Sequence, residues 1–206
     1  METNLASDHL QTIRTLMERS ALYRRALAPV MIVSGIVGIA AAVTTRFVAV
    51  ESSRQFALYW LGVSMAAIAL AFLFVRKQAL KDSEPFWSVP TKRVTEALLP
   101  AFFVGFSAGL YHVVKDPIDT VAWLAMGWII VYGCAIHAAG FFMQNRMRLF
   151  GWMFILGGCA LLFASGQSTS LRTVQAAHHL MGGFFGVLHL ACGIYLYFTE
   201  KRGNAA

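Results

Sequence analysis

Charge is scarce in this chain. Asp, Glu, Lys and Arg make up 13% of the 206 residues, and six stretches contain none of them: 26–45, 55–75, 97–114, 120–145, 149–171 and 173–199. Their absence there argues against a transporter built on a buried carboxylate relay or an intramembrane ion pair. Cysteine is scarce as well. Cys134, Cys159 and Cys192 all fall within charge-free stretches, a distribution that indicates no disulfide framework. No low-complexity linker interrupts the apolar segments, so the sequence offers no boundary for a second domain. A cleavable signal pattern is missing too. The first 25 residues are polar and charged, and the first apolar run is long enough to span rather than to be removed.

What is present is apolar: 58% of the chain is hydrophobic. Each charge-free stretch is long enough, or nearly so, to cross a hydrocarbon layer of about 30 Å as a helix of roughly 20 residues. Helix is the expected form because lipid offers no partner to an open backbone N–H or C=O. The reading is an all-α integral membrane bundle of six transmembrane helices, over about 27–49, 56–75, 97–114, 120–143, 149–167 and 176–198. Residues 1–25 precede the bundle and 200–206 form a tail.

The net charge of +7 has a location that explains it without a nucleic-acid partner. Thirteen Lys and Arg fall in the N-terminal segment, loops two and four, and the tail; only Arg46, Arg54, Lys115 and Arg172 fall in the other loops. The positive-inside rule therefore predicts cytoplasmic N- and C-termini. Within residues 8–25, Leu10, Ile13, Leu16 and Met17 form a stripe behind an Asp8/Gln11 capping box. This predicts an amphipathic helix resting on lipid headgroups or docking on a cytoplasmic partner. Pro85, Phe86, Trp87 and Pro90 read as an interfacial turn with an aromatic anchor.

Histidine supplies the candidate chemistry. His178, Gly182, Gly186, His189 and Gly193 are spaced to share one helical face. Two readings fit that face. Glycines between histidines would let a flat macrocycle approach, as in a b-type haem protein with His112, His137, His178, His179 and His189 as ligand candidates. The same glycines, with Gly105 and Gly109 in span three, form small-xxx-small pairs that bring helices together without a cofactor. An outer group of His112, Asp116, Asp119, His178 and His179 could hold zinc or another divalent ion. A deeper group pairs Cys134 and His137 with His189 and Cys192, a ligand set for a soft metal. The alternative for both groups is plain: hydrated loop residues, small buried cysteines and histidines bonded to backbone.

Two passages, Ile13-Arg14-Thr15-Leu16-Met17-Glu18-Arg19-Ser20 and Phe185-Gly186-Val187-Leu188-His189-Leu190-Ala191-Cys192-Gly193-Ile194-Tyr195-Leu196-Tyr197, carry a resemblance. They resemble a family of small, uncharacterised bacterial polytopic membrane proteins, over about a fifth of the chain. The resemblance implies a bacterial inner membrane and brings no activity with it. Cys192 stands where that family's pattern has a tyrosine, so no function is carried onto the Cys/His group.

Three functions fit these residues. The first is a non-catalytic binding, sensing or regulatory role centred on the small-residue and histidine faces of spans three and six, with a second copy or another membrane protein as partner. The second is a b-type haem electron carrier, similar in outline to four-histidine, six-span bundles. The eleven residues from His178 to His189 rise only about 16 Å along a helix, which suits one haem better than two. The third is a zinc-dependent intramembrane hydrolase with His112, His178 and His179 as ligands, Asp116 or Asp119 as base and Ser107 orienting substrate. It resembles the seven-span ceramidase and receptor hydrolases, but lacks a seventh span and their last-helix His-x-x-x-His.

Overall fold

The computed structural model describes residues 26–81, 87, 89–143 and 145–203. Six helices are long and apolar enough to cross a membrane: α1 (Ala26–Thr44), α2 (Ser53–Lys81), α3 (Val89–Lys115), α4 (Val121–Ala139), α5 (Asn145–Gln167) and α6 (Val174–Thr199). A 3₁₀ turn, Thr169–Arg172, links the last two, and no strand occurs among the described residues. The proposed amphipathic helix over 8–25, Pro85, Phe86 and the last residues of the tail lie outside the described residues.

Several helices outrun their charge-free stretches. α2 continues through Arg76, Lys77 and Lys81, and α3 begins before Lys92 and Arg93. Helix satisfies the backbone of these flanking turns, while long basic side chains reach towards water. α1 stops earlier than expected, at Thr44. There the Thr44 and Thr45 hydroxyls turn back to donate to the Ala40 and Ala42 carbonyls, each at 2.8 Å.

α4 is the hub. Half of its most apolar window is buried inside the protein, against 6% for α2 and for α3. It packs on α3, α5 and α6, while α2 packs on α3. Two cores result. At the basic end of the bundle, Leu27 and Met31 of α1 meet Ile129 and Ile136 of α4, Phe150 and Phe154 of α5, and Leu196 of α6. At the opposite end, Phe56, Ala57 and Trp60 of α2 pack with Ala41, Leu124, Ala177 and Met181.

Two backbone-close seams hold these cores. Between α1 and α6, a Cβ on Gly38 would lie 2.5 Å from the Phe185 carbonyl oxygen, and one on Gly35 the same distance from the Leu190 nitrogen. From the other side, Cβ atoms on Gly186 and Gly193 would lie 2.8 and 2.7 Å from the nitrogens of Ile39 and Ile32. Between α4 and α5, Gly133 and Gly151 face each other; a Cβ on Gly151 would lie 2.6 Å from the His137 nitrogen. Lipid gives helices little hydrophobic reason to associate, so close packing of this kind is what joins them.

α6 is not one regular helix. An α-helical piece, Val174–Met181, leads into a π turn, Gly182–Leu188, and α-helix resumes over His189–Gly203, which carries the helix past the span's end at Thr199. The π turn takes more residues per turn than the α pattern assumes, so the five-residue face expected from spacing divides. Gly182, Gly186 and Gly193 turn to α1, His178 turns to α2, and His189 turns to α4 and α5.

Candidate functional site

His178 and His189 are both buried, and each has its two ring nitrogens engaged. The Trp60 indole N–H donates to His178 Nδ1 at 3.0 Å, and His178 Nε2–H donates to the Val50 carbonyl at 3.4 Å. This ties α6 to α2 and to the turn after α1. The Phe56 ring stands 5.0 Å from the imidazole and Tyr59 meets it edge-on at 6.3 Å. His189 Nδ1–H donates to the Phe184 carbonyl at 3.1 Å, which leaves Nε2 to accept from the Tyr132 hydroxyl at 2.7 Å. Phe150, Phe154 and Phe185 enclose that ring at centroid distances of 5.1, 5.4 and 6.0 Å. A haem iron would have to displace these hydrogen bonds and part these walls, so the two residues do not fit a haem. They are cross-braces. In an apolar bundle a polar ring tip needs a protein partner, and Trp60 and Tyr132 provide it.

The remaining proposed ligands are dispersed. Asp116 Oδ1 accepts the Arg54 backbone N–H at 2.7 Å, capping the start of α2, and the Arg54 side chain donates to the Val113 carbonyl at 2.8 Å. Asp116 and Asp119 both adopt the left-handed conformation, at φ 45° and 57°, which Asp tolerates better than most residues. Asp119, Ser107 and His179 are exposed, and His179 accepts from Gln175 at 3.3 Å. His137 donates to the Arg148 carbonyl at 3.4 Å and meets Trp152 and Phe141 edge-on. Cys134 is exposed, while Cys192 packs against the basic-end core. Among the described residues, no three His, Cys, Asp or Glu side chains come close enough to share a metal ion. Neither the outer His/Asp group nor the Cys/His group assembles, because the π turn and the capping of α2 send the members to different neighbours.

Gly105 and Gly109 do not join α3 to another backbone. They form a bed for the Trp128 indole, whose N–H donates to the Gly105 carbonyl at 2.8 Å. A Cβ on Gly109 would come within 2.9 Å of that ring. Phe56 stacks on Trp128, 6.1 Å away and 18° from parallel, so the indole is held from both sides.

Beside it lies a cleft of about 370 Å³ between α3 and α4. Ala108, Tyr111 and His112 line it from α3, and Trp123, Gly127 and Trp128 from α4. No Asp, Glu, Lys or Arg is on its walls. His112 Nδ1–H donates to the Ala108 carbonyl one turn back, at 2.9 Å, so Nε2 carries the lone pair. That Nε2 is buried and has no hydrogen-bond partner. Space is open around Gly127, where a Cβ would meet nothing within 4 Å. The loop that follows α3 forms the rim: Pro117 and Thr120 line the cleft, and the Ser53 hydroxyl of α2 donates to the Pro117 carbonyl at 2.6 Å.

Of the expected histidines, His112 is the one that lines this cleft. Its partners in the cleft, Trp128 and Gly127, have no spacing to the histidines that a linear reading could use. The one available signal was chemical: every indole N–H and phenol in a charge-free helix has to find an acceptor. No protein-family model matches the chain, and comparison with curated proteins and with solved structures finds no significant match.

Proposed function

We propose that this multi-pass membrane protein is a non-catalytic binding protein, and that it takes a neutral, largely apolar molecule from the bilayer into the α3–α4 cleft beside His112. The observation that carries this reading is the buried, unpartnered Nε2 of His112, a residue that lines that cleft. An orphaned buried polar atom costs about 1–3 kcal/mol, and native structures keep few of them. A ligand hydroxyl would remove the cost. The cleft volume falls in the range of about 300–1,000 Å³ usual for small-molecule sites. Binding is favoured over chemistry because the walls offer no activated nucleophile: Thr120 gives its proton to the Pro117 carbonyl at 3.2 Å, and no carboxylate lines the cleft beside His112.

A regulatory role follows from the rim. Ser53 and Arg54 bind the α3–α4 loop directly, so a ligand that moves this loop pulls on the start of α2, whose other end reaches the basic end of the bundle. With the basic end cytoplasmic, in a bacterial inner membrane, the cleft opens to the outer leaflet and α2 carries its state inward. Residues 8–25 are then the cytoplasmic contact for a partner.

The test uses Gly127→Leu, which fills the open space without meeting another atom at its Cβ. Native mass spectrometry of the wild-type protein, released from mild detergent, is expected to give a stoichiometric small-molecule adduct. Gly127→Leu is expected to lose at least about 90% of it, a tenfold weakening that corresponds to about 1.4 kcal/mol, and to melt at the temperature of wild-type protein stripped of its adduct. An adduct that survives in Gly127→Leu would place the ligand elsewhere.

A further inference from the structure

We infer that the cleft selects the hydroxyl form of a ring-headed bilayer molecule, a quinol over its quinone; this rests on the cleft being the binding site. Three features of the walls converge on that class. The absence of any charged side chain in the cleft disfavours phospholipid headgroups and fatty-acid carboxylates, which would be desolvated there without a counter-ion. Flat faces are supplied by Trp123 and by Trp128, and Trp128 is held by its own hydrogen bond and by Phe56. Aromatic walls favour a ring by offset or edge-on stacking, which an acyl chain cannot reproduce. The orphaned polar group is an acceptor in the neutral imidazole, because the Ala108 carbonyl holds the single ring proton on the other nitrogen.

The direction of that one missing hydrogen bond decides the redox form. A quinol hydroxyl donates to Nε2 and completes the site. A quinone carbonyl presents lone pairs to a lone pair. It could be accepted only if the ring proton moved to Nε2, which breaks the bond to Ala108 and leaves that carbonyl unpaired, or if a second proton were taken up at Nε2, which places a charge beside a cleft with no carboxylate on its walls. Tyr111 meets His112 edge-on at 5.6 Å and limits the swing of the imidazole. The protein thus reads the reduced fraction of a quinone pool, with no electron transferred and no bond made.

The test is a binding titration of the full chain in phosphatidylcholine nanodiscs with three probes: decylubiquinol under argon, decylubiquinone, and dioleoylglycerol as a hydroxylated lipid without a ring. Decylubiquinol is expected to bind about tenfold tighter than decylubiquinone, the value of roughly one buried hydrogen bond, and dioleoylglycerol to bind more weakly than decylubiquinol. His112→Phe keeps the apolar wall and is expected to erase the difference between the two redox forms. His112→Gln, whose amide can accept from the quinol or donate to the quinone, is expected to bind both forms with the preference lost, and guards against a folding defect in the first variant. Equal affinity for quinol and quinone in the wild type, or a preference that persists in His112→Phe, would overturn the inference and leave the cleft as a binding site. Tighter binding of dioleoylglycerol would overturn the ring assignment alone. If none of the three binds, the quinol assignment falls, and the Gly127→Leu adduct result decides the cleft independently.

Discussion

Replacing Gly38 by leucine is expected to destabilise the protein by about 3 kcal/mol or more, at the upper end of what overpacking costs. The reason is the character of the neighbour. A Cβ on Gly38 would lie 2.5 Å from the Phe185 carbonyl oxygen, 2.7 Å from its carbon and 2.8 Å from the Gly186 nitrogen. All three are backbone atoms, so no side chain can rotate away. Relief requires α1 and α6 to separate, and separation also releases Gly35 from Leu190 and Gly193 from Ile32. Thermal unfolding in detergent, followed by the fraction that remains monodisperse, reads the effect. Gly62→Leu is the control: nothing lies within 4 Å of a Cβ there, and its melting curve is expected to match the wild type to within about 0.5 kcal/mol. Equal damage from both changes would mean that the α1–α6 seam is not what holds the bundle.

His189→Ala is expected to cost about 3–5 kcal/mol, the range for removing a large buried ring. Two contributions act together. The cavity is walled by Phe150, Phe154 and Phe185, which belong to two helices and have little freedom to collapse inward. The Tyr132 hydroxyl also loses its acceptor, and an orphaned polar group costs about 1–3 kcal/mol more. Tyr132→Phe removes one oxygen and keeps every ring, so its expected cost is smaller, about 1–3 kcal/mol. The double variant is expected to be less damaging than the two single costs added, because both delete the same 2.7 Å bond. Strict additivity in chemical or thermal unfolding would contradict a shared hydrogen bond. A His189→Ala protein as stable as wild type would contradict its role as a brace and reopen a ligand role.

The six spans were legible because the rule behind them is severe. Lipid forbids unpaired backbone and unpaired charge, so charge-free runs such as 173–199 translate directly into the helix at Val174–Thr199. The site was only partly legible. Residue spacing placed His178 and His189 on one face because it assumes a uniform α-helix, and the π turn at Gly182–Leu188 breaks that assumption. Gly105 and Gly109 carried a helix-packing pattern, yet their space is filled by an indole from α4, since a small-xxx-small pair specifies a hollow and not its occupant. Asp116 stood four residues from His112, the spacing of a ligand pair, but the start of α2 needed a cap and took its carboxylate. Among the described residues His112 alone has a buried ring nitrogen without a partner, and nothing in the local sequence distinguishes it from His137. The difference lies in what α4 presents opposite each of them.

The most direct measurement is to map, by peptide mass spectrometry, where a diazirine-bearing long-chain alcohol attaches to the wild-type protein in nanodiscs after irradiation. Its hydroxyl matches the acceptor in the cleft, and its reactive carbon labels whatever lines the bound chain. The expected result is label concentrated on the α3 and α4 segments that border the cleft, between Val104 and Val131, and displaced by excess unlabelled alcohol. Saturable label on α6 around His189, with α3 and α4 labelled no more than other lipid-facing helices, would contradict a binding site at His112.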